Sequence, residues 1–178
     1  MYNFIIAQIF GIAGIIFNVL SMQMKTKKNI MLMFIGLNIS SALSLLFLNS
    51  LSGTLICFFA VLETIINYRF DSHKKKIPIS IIIFYIIINI ILGLSAFVTW
   101  VDILPIICAI IYCITIYTKR ESTIRKFTFA NQIVWLVYDV IVGAYLFGVS
   151  SILTIFSAIT SMIRFGDFKK RKTKKSSK

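Results

Sequence analysis

The stretch Trp135–Tyr145, WLVYDVIVGAY, decides how the chain folds, because it is apolar enough to enter a bilayer and still carries a carboxylate. Trp135, Tyr138 and Asp139 stand three and four residues apart, the spacing of one helix face. An ionisable group inside a membrane span costs at least ~2.5 kcal/mol, so it faces a protein interior or a water-filled path.

The rest of the chain has the same character. It is 58 % hydrophobic with a mean hydropathy of +0.92, whereas soluble domains are about half apolar. The apolar residues form seven blocks: 4–22, 30–48, 51–68, 78–98, 103–118, 127–147 and 149–165. Each is near the ~20 residues that cross a hydrocarbon core of about 30 Å. Lipid offers backbone amides no partners, so the blocks are expected to be helices. No long polar segment remains for a soluble domain. The first block lacks a basic lead and a small-residue cleavage site, and reads as a span, not as a secretory signal. Pro78 suits the first turn of the fourth helix. Cys57, Cys108 and Cys113 lie inside apolar blocks without metal-ligand spacing and read as small apolar side chains.

Charge sets the expected orientation. Three basic residues (Lys25, Lys27, Lys28) follow the first block and four (Arg69, Lys74, Lys75, Lys76) follow the third. Another four (Lys119, Arg120, Arg125, Lys126) follow the fifth, and eight lie from Arg164 onward, which accounts for all 19. Basic loops stay in the cytoplasm, so the amino terminus is expected outside and the carboxy terminus inside. The net charge of +13 therefore belongs to topology, and nucleic acid is not an expected partner. The tail run Lys169-Lys170-Arg171-Lys172 is a candidate for anionic lipid headgroups.

The chain also repeats itself. Gln8 and Pro105 begin two similar three-block copies, 97 residues apart; Arg69-Phe70 and Arg164-Phe165 end them, 95 apart. Each copy has a basic loop, a polar-striped helix and a tight connection, at Ser52-Gly53 and at Gly148. The expected fold is therefore an all-α integral membrane protein with seven transmembrane helices in a 3+1+3 arrangement of two parallel triple-helix-bundle repeats. Residues 1–70 form the first, 71–101 a basic loop and linker helix, 102–166 the second, and 167–178 a basic tail. In such folds a substrate site lies between the repeats near the midplane.

Polar faces mark candidates for that path. Gly11, Gly14, Asn18 and Ser21 share a face, as do Asn38, Ser41 and Ser44. So do Pro105, Cys108, Tyr112 and Thr115, then Asn131, Trp135, Tyr138 and Asp139, then Ser150, Thr154, Ser157 and Ser161. Close helix packing uses the same small and hydroxylated residues, and that reading stands beside the functional one. The substrate-pathway candidates are Asn18, Asn38, Cys57, Tyr112, Asn131, Trp135, Tyr138, Asp139 and Ser151. Gln8 and Pro105 are hinge candidates. Glu63, with Asn67 one turn on, and Asp139 are candidate proton-linked acids; a neutral carboxyl hydrogen-bonded to a neighbour is the alternative.

The segment LPIICAIIYCITIYTKR, followed by WLVYDVIVGAY and SMIRF, resembles the YgjV-type bacterial inner-membrane protein family. AQIFGIAG, Ser21-Met22-Gln23-Met24-Lys25 and Ser52-Gly53 extend the resemblance over nearly the whole chain before the tail. More distantly, Pro105, Lys119 and Trp135-x-x-Tyr138 resemble the second half of SWEET and PQ-loop transporters, which implies a small-solute path between two triple-helix bundles. The resemblance implies an Asn at Cys57, an acidic residue at Ser151, an Asn at Asp139 and a basic residue near Glu63, and this chain departs from all four.

The leading expectation is a small-solute membrane transporter or facilitator, for sugar-like or other neutral solutes, in a bacterial inner membrane. The alternative is a non-transporting protein that keeps the fold as an assembly or sensory partner. No enzyme is expected. The sole histidine, His73, lies beside Lys74, Lys75 and Lys76, and no Ser–His pair, phosphate loop or HExxH sequence is present. Neither cofactor nor metal is expected, and both repeats lie in one chain, so a path requires no oligomer.

Overall fold

The seven apolar blocks become seven α-helices in the computed structural model, which describes residues 2–47, 51–95, 97, 99–142 and 145–167. They are α1 (Tyr2–Gln23), α2 (Lys27–Phe47), α3 (Leu51–Ser72), α4 (Ile79–Ser95), α5 (Ile103–Tyr117), α6 (Glu121–Val142) and α7 (Tyr145–Arg164). A 3-10 turn at Trp100–Asp102 leads into α5. No strand occurs among the described residues.

Among the described residues, four stretches are long and apolar enough to cross a membrane: Phe4–Gln23, Lys27–Phe47, Trp100–Tyr117 and Phe147–Arg164. The apolar α4 has 17 residues, about 25 Å at 1.5 Å per residue. α3 carries Glu63, Arg69 and Asp71, and α6 carries Glu121, Arg125, Lys126 and Asp139. Apolar side chains stay exposed in helical stripes. Ile79, Ile83, Ile87 and Ile91 form one on α4, and Ile5, Ile9, Ile12 and Ile16 form one on α1. Contiguous apolar surface of this extent is what a hydrocarbon environment covers.

The helix ends shift several sequence readings. Phe47 ends α2 and Leu51 begins α3, so Ser52 and Gly53 fall in the first turn of α3 and not in the connection. Gly148 likewise lies inside α7, which begins at Tyr145. A glycine in a first turn interrupts little, because those amides have no partner within the helix. Two basic positions also move from loop to helix. Lys27 is the first residue of α2, and Arg125 lies one turn into α6. Both are buried, at 5 % and 2 % exposure, because each meets an aspartate.

α3 and α7 end alike. The Lys75 amide donates to the Phe70 carbonyl and the Lys74 amide to Asp71. At α7, Asp167 donates to Met162 and Gly166 to Ile163. These paired bonds close a helix with one left-handed residue. Gly166 takes that position at φ 69°, and Lys74 takes it at φ 55°. A lysine bears a steric penalty there that glycine avoids.

In packing, α1 lies on α2 and α2 on α3, while α5 lies on α6 and α6 on α7. α7 then returns to α1. On the other side α3 touches α5, and α4 packs along α5 and reaches α3. Two glycines set close approaches. A Cβ at Gly36 would stand 2.9 Å from the Phe17 ring, and one at Gly93 would stand 2.5 Å from Cγ1 of Ile106. The buried apolar core includes Met22, Ile30, Met31, Phe34, Ile82, Tyr85, Ile116 and Ile124, drawn from α1, α2, α4, α5 and α6.

Candidate functional site

Two seams join α1–α3 to the rest of the chain, and each has its own polar chemistry. At the first, α3, α4 and α5 meet around Glu63, which is 1 % exposed. Asn89 Nδ2 donates to Glu63 Oε1 at 2.7 Å and to the Tyr85 carbonyl at 3.0 Å. The Cys113 thiol donates to both carboxylate oxygens, at 3.8 and 3.9 Å. One turn along α3 from Glu63, Asn67 Nδ2 donates to the Glu63 carbonyl at 2.7 Å. Next to Glu63, Thr64 Oγ1 and the Tyr112 hydroxyl are hydrogen-bonded at 2.6 Å, and Asn38 Nδ2 donates to the same Tyr112 hydroxyl at 2.9 Å. Tyr112 thus links α2, α3 and α5 through one oxygen. A carboxyl so enclosed needs its oxygens satisfied, since an unpaired buried charge costs several kcal/mol. Here the carboxyl's donors come from two helices, Asn89 on α4 and Cys113 on α5.

At the second seam α7 meets α1. Ser157 Oγ donates to the Val19 carbonyl at 2.8 Å. Gln23 Nε2 donates back to Ser157 Oγ and to its carbonyl, at 2.9 and 3.0 Å. At the end of this seam Arg125 binds Asp167 Oδ2 at 2.9 Å and the Met24 carbonyl at 2.8 Å, with a longer bond to Met22 at 3.4 Å. Its guanidinium lies 4.1 Å from the centre of the Phe165 ring. The planar five-donor head of arginine suits such a junction, where a lysine would satisfy fewer acceptors.

The pathway candidates do not all converge. Asn38 and Tyr112 are in direct contact, and Glu63 is on the adjoining part of α3. Asn131 is buried on α6, and its backbone carbonyl accepts the Cys108 thiol at 3.8 Å. Trp135 and Tyr138 stack edge to face with centroids 5.7 Å apart. Asn18 is buried on α1, Ser151 is buried on α7 and Cys57 is half-buried on α3. The side chain of Asp139 lies outside the described part of α6, as do the tail residues proposed for lipid headgroups. Gln8 is half-buried within α1, and Pro105 occupies the first turn of α5, where its missing amide breaks no helix bond. The side-chain oxygens of Asn18, Asn67 and Asn131 and the Tyr85 hydroxyl are buried without a protein partner.

Sequence reasoning passed over Asn89, Thr64 and Arg125. The signal for Asn89 was a single amide inside IIINI on the linker helix. Cys113 and Cys108, read as small apolar side chains, are buried and in addition act as weak donors, Cys113 to the Glu63 carboxylate and Cys108 to the Asn131 carbonyl. Ser44, by contrast, bonds the Ala7 carbonyl at 2.8 Å and joins α2 to α1, the packing role expected of a membrane hydroxyl.

No curated protein and no solved structure matches the chain. A family model does, over residues 5–169. With its apolar helices and its acid enclosed among them, the chain belongs to the Imp-YgjV family of bacterial inner membrane proteins.

Proposed function

We propose that this protein is a small-solute transporter or facilitator of the bacterial inner membrane. It works by alternating access between two parallel triple-helix bundles, α1–α3 and α5–α7, with α4 as the linker. The observation that carries the reading is the buried polar seam around Glu63 and Tyr112, which joins the first bundle to α4 and α5 through side chains alone. Costly intramembrane acids mark solute or proton paths more often than packing sites. Buried oxygens without protein partners on α1, α3 and α6 add acceptors for a neutral solute.

Two ion pairs support the repeat. Lys27 at the start of α2 pairs with Asp71 at the end of α3, at 3.4 Å. Arg125 in the first turns of α6 pairs with Asp167 just past α7, at 2.9 Å. The basic partners are 98 positions apart and the acids 96, close to the 95–97 spacing of the sequence copies. In this reading the basic end faces the cytoplasm, and the α7–α1 seam is the hinge. A neutral hydroxyl path through Tyr112 then serves sugar-like solutes, with Glu63 as the candidate proton-linked acid.

Uptake into proteoliposomes, screened over sugars and related neutral solutes, tests this. Flux above empty liposomes is expected, with Tyr112→Phe reducing it at least ~10-fold, because one substitution removes a junction of two hydrogen bonds worth about 1 kcal/mol each. If folded protein gives no flux with any solute, the non-transporting partner reading replaces this one.

A further inference from the structure

The structure assigns a phosphate-binding cleft to the basic end of the molecule, lined by lysines from three separate chain segments. Lys27 and Lys28 come from the start of α2, Lys74 and Lys75 from the turn after α3, and Lys119 from the α5–α6 connection. Together they enclose about 380 Å³, within the ~300–1,000 Å³ range of small-ligand sites. An adjoining cleft of about 350 Å³ shares Lys27, Asp71, Lys75 and Lys119, and adds Lys76.

Topology alone asks that basic residues flank the spans, not that they converge. Arg120 and Lys126 are exposed in the same connection and helix start, yet they line neither cleft. The converging charges are unbalanced. The five lysines of the first cleft face two carboxylates, Asp71 and Glu121. Asp71 is engaged by the buried Lys27 at 3.4 Å, which leaves four ammonium groups against Glu121. Like charges held together raise the free energy of the unliganded protein, and a polyvalent anion removes that cost. The turn after α3 holds this arrangement, since its bonds to Phe70 and Asp71 bring Lys74 and Lys75 to the cleft wall. The cationic donors that line it are all lysines. Compact ammonium groups bind phosphate as point charges without demanding a fixed fork geometry. Two sources carry such a group, a soluble phosphorylated solute and an anionic phospholipid headgroup at the membrane surface. The site is independent of whether the chain transports.

The test uses the full chain in uncharged detergent, titrated calorimetrically with inorganic pyrophosphate. In parallel, native mass spectrometry follows retention of phosphatidylglycerol from nanodiscs. Lys28→Ser with Lys75→Ser removes two exposed cleft charges, and Lys119→Ser is an independent third. Arg120→Ser with Lys126→Ser removes equal charge outside the cleft. The cleft pair is expected to weaken binding about 30-fold, roughly fivefold per lysine, with unchanged thermal unfolding and little effect in the control pair. Loss confined to pyrophosphate identifies a soluble phosphate ligand, and loss confined to phosphatidylglycerol identifies the headgroup. Equal loss in cleft and control variants, or no binding of either probe by the wild-type chain, overturns the assignment.

Discussion

The two seams differ in what accepts their hydrogen bonds. Along the α7–α1 seam most acceptors are backbone carbonyls, those of Val19 for Ser157, of Ser157 for Gln23 and of Met22 and Met24 for Arg125, beside the side-chain pairs Gln23–Ser157 and Arg125–Asp167. Between α3 and the α4–α5 pair, the partners are side chain to side chain: Asn89 with Glu63, Cys113 with Glu63, Thr64 with Tyr112. A backbone carbonyl inside a helix cannot move without its helix. A hydroxyl, thiol or carboxyl can rotate and change partners while the helices stay where they are. The α7–α1 seam is therefore the more fixed and the Glu63 seam the freer to rearrange, the division that the proposed alternating access would use. The ion pairs at the basic end differ in the same sense. The Asp167 side chain in the Arg125 pair is 9 % exposed, while that of Asp71 in the Lys27 pair is 25 % exposed and borders the lysine cleft.

The sharpest way to break the holding seam is Arg125→Ala. It strips Asp167 of its cation and leaves two carbonyls unpaired, so a loss of about 3–5 kcal/mol is expected in detergent unfolding. A loss under ~1 kcal/mol would mean that the junction is solvated and the seam is held elsewhere. Gly93→Ala acts on the other side. The new methyl meets stiff, β-branched Ile106, and α4 must move away from α5. The expected cost is about 1–3 kcal/mol, with Asn89 drawn off Glu63 and Cys113 becoming more reactive to a thiol probe. Unchanged thiol labelling would show that α4 does not position the acid. Smallest is Ser157→Ala, at roughly 0.6 kcal/mol, the average of a membrane hydrogen bond. If it costs more than the Gly93 substitution, the ranking of the seams is reversed.

Much of the helical plan was legible along the chain. Apolar block length and the charge count anticipate seven helices, and these are what the described residues form. The turn positions were misplaced at Ser52-Gly53 and Gly148, because glycine signals a break equally well from a loop or from a first turn. The site was legible only in part. Asn38, Glu63 and Tyr112 stand out as polar groups in apolar runs, but their partners Thr64, Asn89 and Cys113 look like ordinary packing residues.

By itself, then, the sequence determined the membrane class, the helix count and the faces on which polar groups lie, since length, charge and a 3.6-residue period are local properties. Which faces meet was decided by tertiary structure. The Asn38–Tyr112 and Gln23–Ser157 contacts join residues 74 and 134 positions apart, and no local pattern encodes the packing of one helix against another. The same holds for the lysines. In sequence they are three short basic runs, and only the meeting of α2, α3 and the α5–α6 connection makes them one cleft.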